Sequence, residues 1–245
     1  MTQHTSEQEQ RELPPTRAIV LVAGSGSRMG ALTGELPKSF LEIGGERLIE
    51  RSLRLIRQAG IQDVTLVTGY KGSLFQDQFP QCRFVHNPKY ASTNTASSLE
   101  LALNDEEHGR VLVINGDVFF EEGLLRQLLN FPYPSVAAVR RGTMGCEEVK
   151  VYSNSNQLLR IGKDLSPEDC FGEAFGVYLL SPCFAESLKV TLQGIGNPKA
   201  FYEIGMDQML GESTPMHILD IGESIGMEID FPEDYWSLLE SLGLP

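Results

Sequence analysis

Apolar positions in this chain come in short runs separated by helical patterns, and the alternation is most regular over residues 17–131. Residues 17–23 (RAIVLVA) form a near-continuous apolar, β-branched run ending in glycines, which predicts a buried strand entering a loop. Residues 48–59 (LIERSLRLIRQA) place Leu48, Ile49, Ser52, Leu53, Leu55 and Ile56 at helical spacing, and Gly60 supplies a C-terminal stop. VTLVTG (64–69), RFVHN (83–87) and RVLVING (110–116) read as further strands, SSLELAL (97–103) and GLLRQLLNF (123–131) as further helices. From residue 135 the texture changes: SVAAVRR, VKVYSNSNQLLRIGKDL and FGVYLLSP are strand-like, with short turns and fewer helices between them. Strands this apolar are buried on both faces, so the pattern predicts a Rossmann-like α/β fold, a doubly wound, mixed but mostly parallel sheet in three layers. Ligands of such open sheets bind beyond the carboxyl ends of the strands, so chemistry is expected in the loops after 17–23 and 110–116.

The bulk properties narrow the function. The chain has 245 residues, 41% hydrophobic and 22% charged, enough for a full core. Residues 1–16 are polar and closed by Pro14-Pro15, and are expected to form a disordered leader. No Pro/Ser/Gly-rich run divides the rest, so residues 17–245 are expected to form one domain. No stretch of about 18 apolar residues is present, and no membrane span is expected. Cys82, Cys146, Cys170 and Cys183 lack zinc-site spacing, which fits idle thiols in a reducing compartment and a cytoplasmic location. The net charge of −13 repels phosphate backbones, so a nucleic-acid partner is not expected. Any anionic ligand must be held by a local cluster of cations.

One such cluster follows the first strand. Leu21-Val22-Ala23-Gly24-Ser25-Gly26-Ser27-Arg28-Met29-Gly30 is followed by Leu36-Pro37-Lys38. A glycine-rich turn lets the backbone of Ala23, Gly24, Ser25 and Gly26 approach triphosphate oxygens, while Arg28 and Lys38 supply cations. Taken alone, such a turn is as often a plain tight turn. It is not the Walker loop, and Met29 stands where a dinucleotide fingerprint requires its third glycine.

The whole string resembles the signature of the nucleotidyltransferase superfamily that activates sugar phosphates and alcohol phosphates, a strand followed by LAAGxGSR(M/L) and then PK. Only Val22 departs, replacing a usual alanine at a position read as core-facing. The resemblance implies the nucleotide-diphospho-sugar transferase type of fold and a Mg²⁺ site. An aspartate after a strand is ordinarily a turn former, but Asp117 in Val113-Ile114-Asn115-Gly116-Asp117-Val118 matches the family's metal-binding residue. Asp230, in an extended segment before Pro232, matches the acid that completes the site, whereas Glu233 and Asp234 read as helix caps.

Further stretches resemble the cytidylyltransferase branch, which includes phosphocholine, 2-aminoethylphosphonate and inositol-phosphate cytidylyltransferases. Arg160-Ile161-Gly162-Lys163-Asp164-Leu165 looks like its (S/G)KDL element, where the lysine meets phosphate, although a turn lysine is by itself most often a solvated charge. By resemblance Gly69-Tyr70 and the loop from Asn87 through Thr95 to Ser97 border the nucleobase, while Thr95 or Ser97 is equally read as a helix cap.

The expected activity is transfer of CMP from CTP to a small phosphorylated or phosphonate acceptor, with release of pyrophosphate. Arg28, Lys38 and Lys163 are the expected catalytic cations. Glu148, Glu173, Glu203 and Asp207 are candidates to meet a primary ammonium, as in aminoethylphosphonate, and each is equally read as a surface acid. Few rings follow Tyr202, which speaks against the aromatic cage a quaternary ammonium calls for. Competing readings are a sugar-1-phosphate nucleotidyltransferase using UTP, dTTP or GTP, and a non-catalytic nucleotide sensor on the same fold. A homodimer is compatible with all of them.

Overall fold

The structure, a computed structural model, describes residues 15–104, 109–142 and 144–245. The leader expected over 1–16 falls almost wholly on residues 1–14, outside the described residues. In chain order the strands and α-helices are β1 (Thr16–Val22), β2 (Glu42–Ile43), β3 (Glu46–Arg47), α1 (Leu48–Gln58), β4 (Val64–Thr68), α2 (Gly72–Gln78), β5 (Arg83–His86), α3 (Thr95–Leu103), β6 (Arg110–Asn115), β7 (Val118–Phe120) and α4 (Leu124–Leu129). They continue with β8 (Val136–Arg140), β9 (Lys150–Asn154), β10 (Gln157–Gly162), β11 (Gly172–Leu180), α5 (Pro182–Gln193), α6 (Tyr202–Met209), β12 (His217–Asp220), β13 (Gly226–Glu228) and α7 (Pro232–Ser241).

Nine strands form one sheet in the order β5-β4-β1-β6-β11-β8-β12-β10-β9. β1 pairs in parallel with β4 and β6, and β4 with β5. The first half is therefore doubly wound, as the apolar runs predict. β11 joins antiparallel to β6 and begins the mixed half. Strand order reverses at β1, so a crevice opens between the ends of β1 and β6.

The layers follow from alternation along the strands. Ala18, Val20 and Val22 point into one buried cluster with Ile49, Leu53 and Ile56 of α1, Phe75 of α2 and Leu128 of α4. Ile19 and Leu21 point into the other, with Leu99 of α3, Leu188 of α5 and Met206 of α6. Helix α1 ends where Gly60 takes φ +90, with Gly60 N–H donating to the Arg57 carbonyl and Ile61 N–H to that of Ile56. That left-handed stop is the one Gly60 predicts.

The mixed half holds more helix than its texture suggests. Ser181 caps α5 through its side chain, accepting from Phe184 N at 3.1 Å, and Pro182 occupies its first turn. A third apolar cluster, with Met29, Leu41, Phe119, Ile229 and Leu238, packs α7 beneath the loop that follows β1. No helix among the described residues is long and apolar enough to cross a membrane.

Candidate functional site

The crevice at the ends of β1 and β6 is a cleft of about 310 Å³, bordered by residues of both halves of the sheet. Two glycines let its walls close. Gly116 N–H donates to the Leu21 carbonyl at 2.9 Å, and a Cβ there would lie 2.6 Å from Val22 Cγ1, so β6 can end against β1 only without a side chain. Gly26 takes φ +65 and presses on Lys38, whose Cβ would lie 2.5 Å from an added methyl. The glycine turn thus seats Lys38 as well as presenting backbone amides.

Asp117 and Asp230 are far apart in sequence but adjacent in space. β7 and β13 pair as a two-stranded ribbon with Val118 opposite Glu228, and Ile229 N–H donates to the Asp117 carbonyl at 3.0 Å. The Asp234 carboxylate accepts from the backbone N–H of Asp230 and Phe231 at 2.8 and 2.7 Å. It therefore caps α7, as expected, and fixes the segment carrying Asp230.

Both carboxylates converge on one cation. Lys38 Nζ lies 2.5 Å from Asp117 Oδ2 and 2.6 Å from Asp230 Oδ1, and Arg28 Nη2 adds a contact of 3.0 Å to Asp230. Burial by itself lowers the Lys38 pKa, but the combined charge and hydrogen bonds of the two aspartates outweigh it and leave the pKa raised. Asp230 is held below its ordinary value, because Lys38, Arg28 and Lys163 together outweigh the burial that acts first against its charge. The two aspartates are hard oxygen donors already arranged around a positive charge, the Lys38 ammonium. Among the described residues no group of three or more His, Cys, Asp or Glu gathers as a self-sufficient metal cage. This donor set fits Mg²⁺, which takes one or two carboxylates and completes its shell from phosphate oxygens and water.

Lys163 emerges after β10, with Nζ 4.5 Å from the Phe201 ring centroid and 3.8 Å from Glu147 Oε2. Glu147 also lies 3.9 Å from Arg28, so the three cations form one chain of ion pairs across the cleft.

The buried side of the cleft carries two more acids. Glu203, only 4% exposed, accepts from the Tyr178 hydroxyl through Oε1 at 3.2 Å, and its buried Oε2 has no partner among the described residues. Burial raises its pKa. Glu228 Oε1 accepts from Asn115 Nδ2 at 2.7 Å, and Asn115 Oδ1 accepts from the Tyr202 hydroxyl at 2.9 Å. Burial first, then the charge of Asp117, pushes Glu228 up to about 8. Gly176, at φ +79 in β11, makes room for this bond, since a Cβ there would lie 2.5 Å from Asn115 Nδ2.

The remaining wall is the loop before α3. Asn87 Nδ2 donates to Thr93 Oγ1 at 3.1 Å and Ser98 Oγ at 3.0 Å, and its Oδ1 accepts from Lys89 N at 2.9 Å. One buried amide thereby holds Thr93 and Ser98 along the cleft, which Tyr90, Asn94 and Thr95 also border.

Of the residues singled out in the sequence, Ala23, Gly24, Gly26, Arg28, Lys38, Thr95, Asp117, Lys163, Glu203 and Asp230 border the cleft. Others fall elsewhere. Ser25 is exposed beside it. Gly69-Tyr70 backs the glycine turn from behind, with Tyr70 N–H donating to the Ala23 carbonyl at 3.0 Å and its hydroxyl to the Glu35 carbonyl at 3.0 Å. Ser97 lies one position out of register on α3, and it is Ser98 that faces the cleft, while Asn94 rather than Thr95 or Ser97 is the helix cap. Three of the acids proposed for an ammonium have structural partners instead. Glu148 accepts from Gly145 N at 2.7 Å, Glu173 pairs with Arg140 at 2.7 Å, and Asp207 binds Arg160 and the backbone N–H of Ile161. Ser39, Asn115 and Glu228 border the cleft without having been singled out. Asn115 and Glu228 lie two residues before Asp117 and Asp230 respectively, and that adjacency is the signal that finds them.

Comparison with known proteins identifies the family and the fold. Residues 18–188 match the family described as the MobA-like NTP transferase domain. The choline-phosphate cytidylyltransferase of Haemophilus influenzae is 27% identical over 234 residues, 92% of this chain and 97% of that protein. The 2-aminoethylphosphonate cytidylyltransferase of Lancefieldella rimae is 29% identical over 110 residues, covering 44% of this chain and 45% of that protein. The solved structure of the CTP:phosphocholine cytidylyltransferase of Streptococcus pneumoniae superposes with a TM-score of 0.79 at 22% identity, over 93% of this chain and 99% of that one. At that identity the likeness establishes a shared fold.

Proposed function

The chain belongs to the MobA-like NTP transferase family, and from that premise we propose that it transfers CMP from CTP to a small acceptor with a phosphate or phosphonate at one end and a primary ammonium at the other. One observation carries the reading. Arg28 and Lys38 meet Asp230, and Lys38 meets Asp117, in a cleft that Lys163 and Glu203 also border, and the buried Glu203 Oε2 has no partner among the described residues. The cations suit two phosphorylated reactants. The orphan oxygen suits an ammonium that can donate an N–H, which a quaternary ammonium cannot.

An acceptor oxygen attacks the α-phosphorus of CTP. The new P–O bond forms as the bond from the α-phosphorus to the oxygen bridging to the β-phosphorus breaks, and pyrophosphate leaves with that electron pair. The attacking phosphate or phosphonate is already ionised at neutral pH, so no general base is needed and catalysis rests on positioning and charge. Arg28 and Lys38 hold the leaving pyrophosphate, and Lys163 neutralises the approach of two anions. Glu203 orients the acceptor through its ammonium. Asp117 and Asp230 would hold Mg²⁺, which when bound supplies charge neutralisation at the phosphates.

The test is pyrophosphate release from each of the four NTPs with aminoethylphosphonate, phosphocholine, inositol phosphate and hexose 1-phosphates. Release with CTP and aminoethylphosphonate is expected. Preference for phosphocholine overturns the primary-ammonium assignment, preference for a hexose 1-phosphate with another NTP overturns both substrates, and silence across the panel favours a sensor. Asp117→Ala is expected to lose turnover on the order of 10²–10³-fold while remaining folded. Substantial activity in that variant sinks the metal-site assignment.

A further inference from the structure

We propose that Lys150 is a positioning residue for Lys163. Resting on the role given above to Lys163, the proposal explains a side chain that the transfer chemistry leaves unused. Lys150 is the first residue of β9 and only 1% exposed, and its ammonium contacts no carboxylate among the described residues. A buried ammonium must find acceptors for its protons, since it loses its hydration on burial. Nζ donates to the carbonyl of Lys163 at 2.7 Å and to that of Glu148 at 3.2 Å.

Those two carbonyls lie on different loops that flank the cleft. Glu148 precedes Val149, which borders the cleft, and Lys163 follows the last residue of β10, Gly162, which stands opposite Lys150 in the ladder. One ammonium therefore ties both loops together at the point where the Lys163 side chain departs toward Phe201. It also anchors both ends of the contact between Glu147 and Lys163, because Glu147 is the neighbour of one tethered residue. An apolar side chain would fill the same strand position without burying a charge, and would leave both carbonyls unheld.

The test compares Lys150→Met, Lys163→Ala and the double variant in the pyrophosphate assay, with thermal melting to establish folding. Lys150→Met is expected to fold and to lose kcat by about 10- to 100-fold, the effect of a small misplacement of a catalytic group. If Lys150 acts through Lys163, the double variant is no slower than Lys163→Ala. A merely structural role predicts that the losses multiply. A folded Lys150→Met within about twofold of wild type, or multiplying losses, overturns the proposal while leaving the role of Lys163 intact. Full turnover in Lys163→Ala overturns that role and this inference with it. Should the Met variant not fold, Lys150→Gln, which keeps a donor, is expected to fold with a smaller loss of kcat. Wild-type turnover in the Gln variant, or failure of both to fold, also overturns the proposal.

Discussion

Replacing Glu203 by Gln separates stability from function. The wild-type carboxylate is buried with Oε2 unpartnered among the described residues, a state that costs about 1–3 kcal/mol for a polar group. Gln keeps the size of the side chain and an acceptor for the Tyr178 hydroxyl but removes the charge. Its amide N–H₂ inherits the unpartnered position, so the gain in the ligand-free protein belongs at the low end, about 1 kcal/mol, or roughly 2–4 °C in Tm for a chain of this size. Burial raises the Glu203 pKa, so the folded protein retains a proton that the unfolded chain has lost. Wild-type stability is therefore full below the ordinary carboxylate range and falls as pH rises through the folded pKa, and the advantage of Gln widens in that direction. Glu228, raised to about 8 by burial first and in part by the charge of Glu203, contributes a slope of the same sign that the Gln variant lessens, which adds to the widening. Function moves oppositely. A hydrogen bond to a charged group is worth about 1.5–3 kcal/mol, so kcat/KM for aminoethylphosphonate should fall about 10- to 150-fold while the KM for CTP stays unchanged. Melting curves from pH 5 to 9 and steady-state pyrophosphate release check both halves. A Gln variant that processes aminoethylphosphonate at the wild-type rate refutes the ammonium assignment, and one that melts lower at every pH refutes the reasoning about the orphan oxygen.

Two further outcomes follow from the site's geometry. Gly176→Ala drives a methyl to within 2.5 Å of Asn115 Nδ2 and 2.8 Å of Glu228 Oε1 at φ +79. It should lose about 1–3 kcal/mol of stability in denaturant melts, and a variant as stable as wild type would mean that the Asn115–Glu228 bond tolerates displacement. Lys38→Met removes the ammonium clamped between Asp117 and Asp230, leaving Asp117 without that cation and Asp230 with Arg28. Without nucleotide, its Mn²⁺ affinity by electron paramagnetic resonance should exceed that of wild type by at least about tenfold, and equal affinities would show that Lys38 does not guard the pair.

How much was legible in the sequence tracks how local each feature is. The apolar runs of β1, β4 and β6 and the stripe of α1 announce themselves, because a buried parallel strand and an amphipathic helix impose their periods on adjacent residues. The glycine turn, Arg28 and Lys38 are likewise contiguous with β1. α5 carries a Ser-Pro start, Ser181-Pro182, that marks a helix, but the strand-like texture around it masked the signal. The acids were harder. Glu148, Glu173 and Glu203 are chemically alike in sequence, and only the partners the fold brings, Gly145 N–H for one, Arg140 for another and none among the described residues for Glu203 Oε2, separate them. Ser97 against Ser98 is a one-residue choice of helix face, and the phase of α3 is set by packing that its short apolar pattern does not reveal.

The β6–β11 seam divides the labour between two inheritable parts. Arg28, Lys38 and Asp117 come from loops of the parallel half, whereas Lys163 follows β10, Phe201 precedes α6 and Glu203 lies in α6, all beyond it. The residues proposed to handle the triphosphate and those proposed to choose the acceptor can therefore change at different rates. A lineage that keeps Lys163 while altering the rest of residues 157–209 could explore new acceptors under the proposed chemistry, and a chimera exchanging that segment between relatives should carry acceptor preference with it.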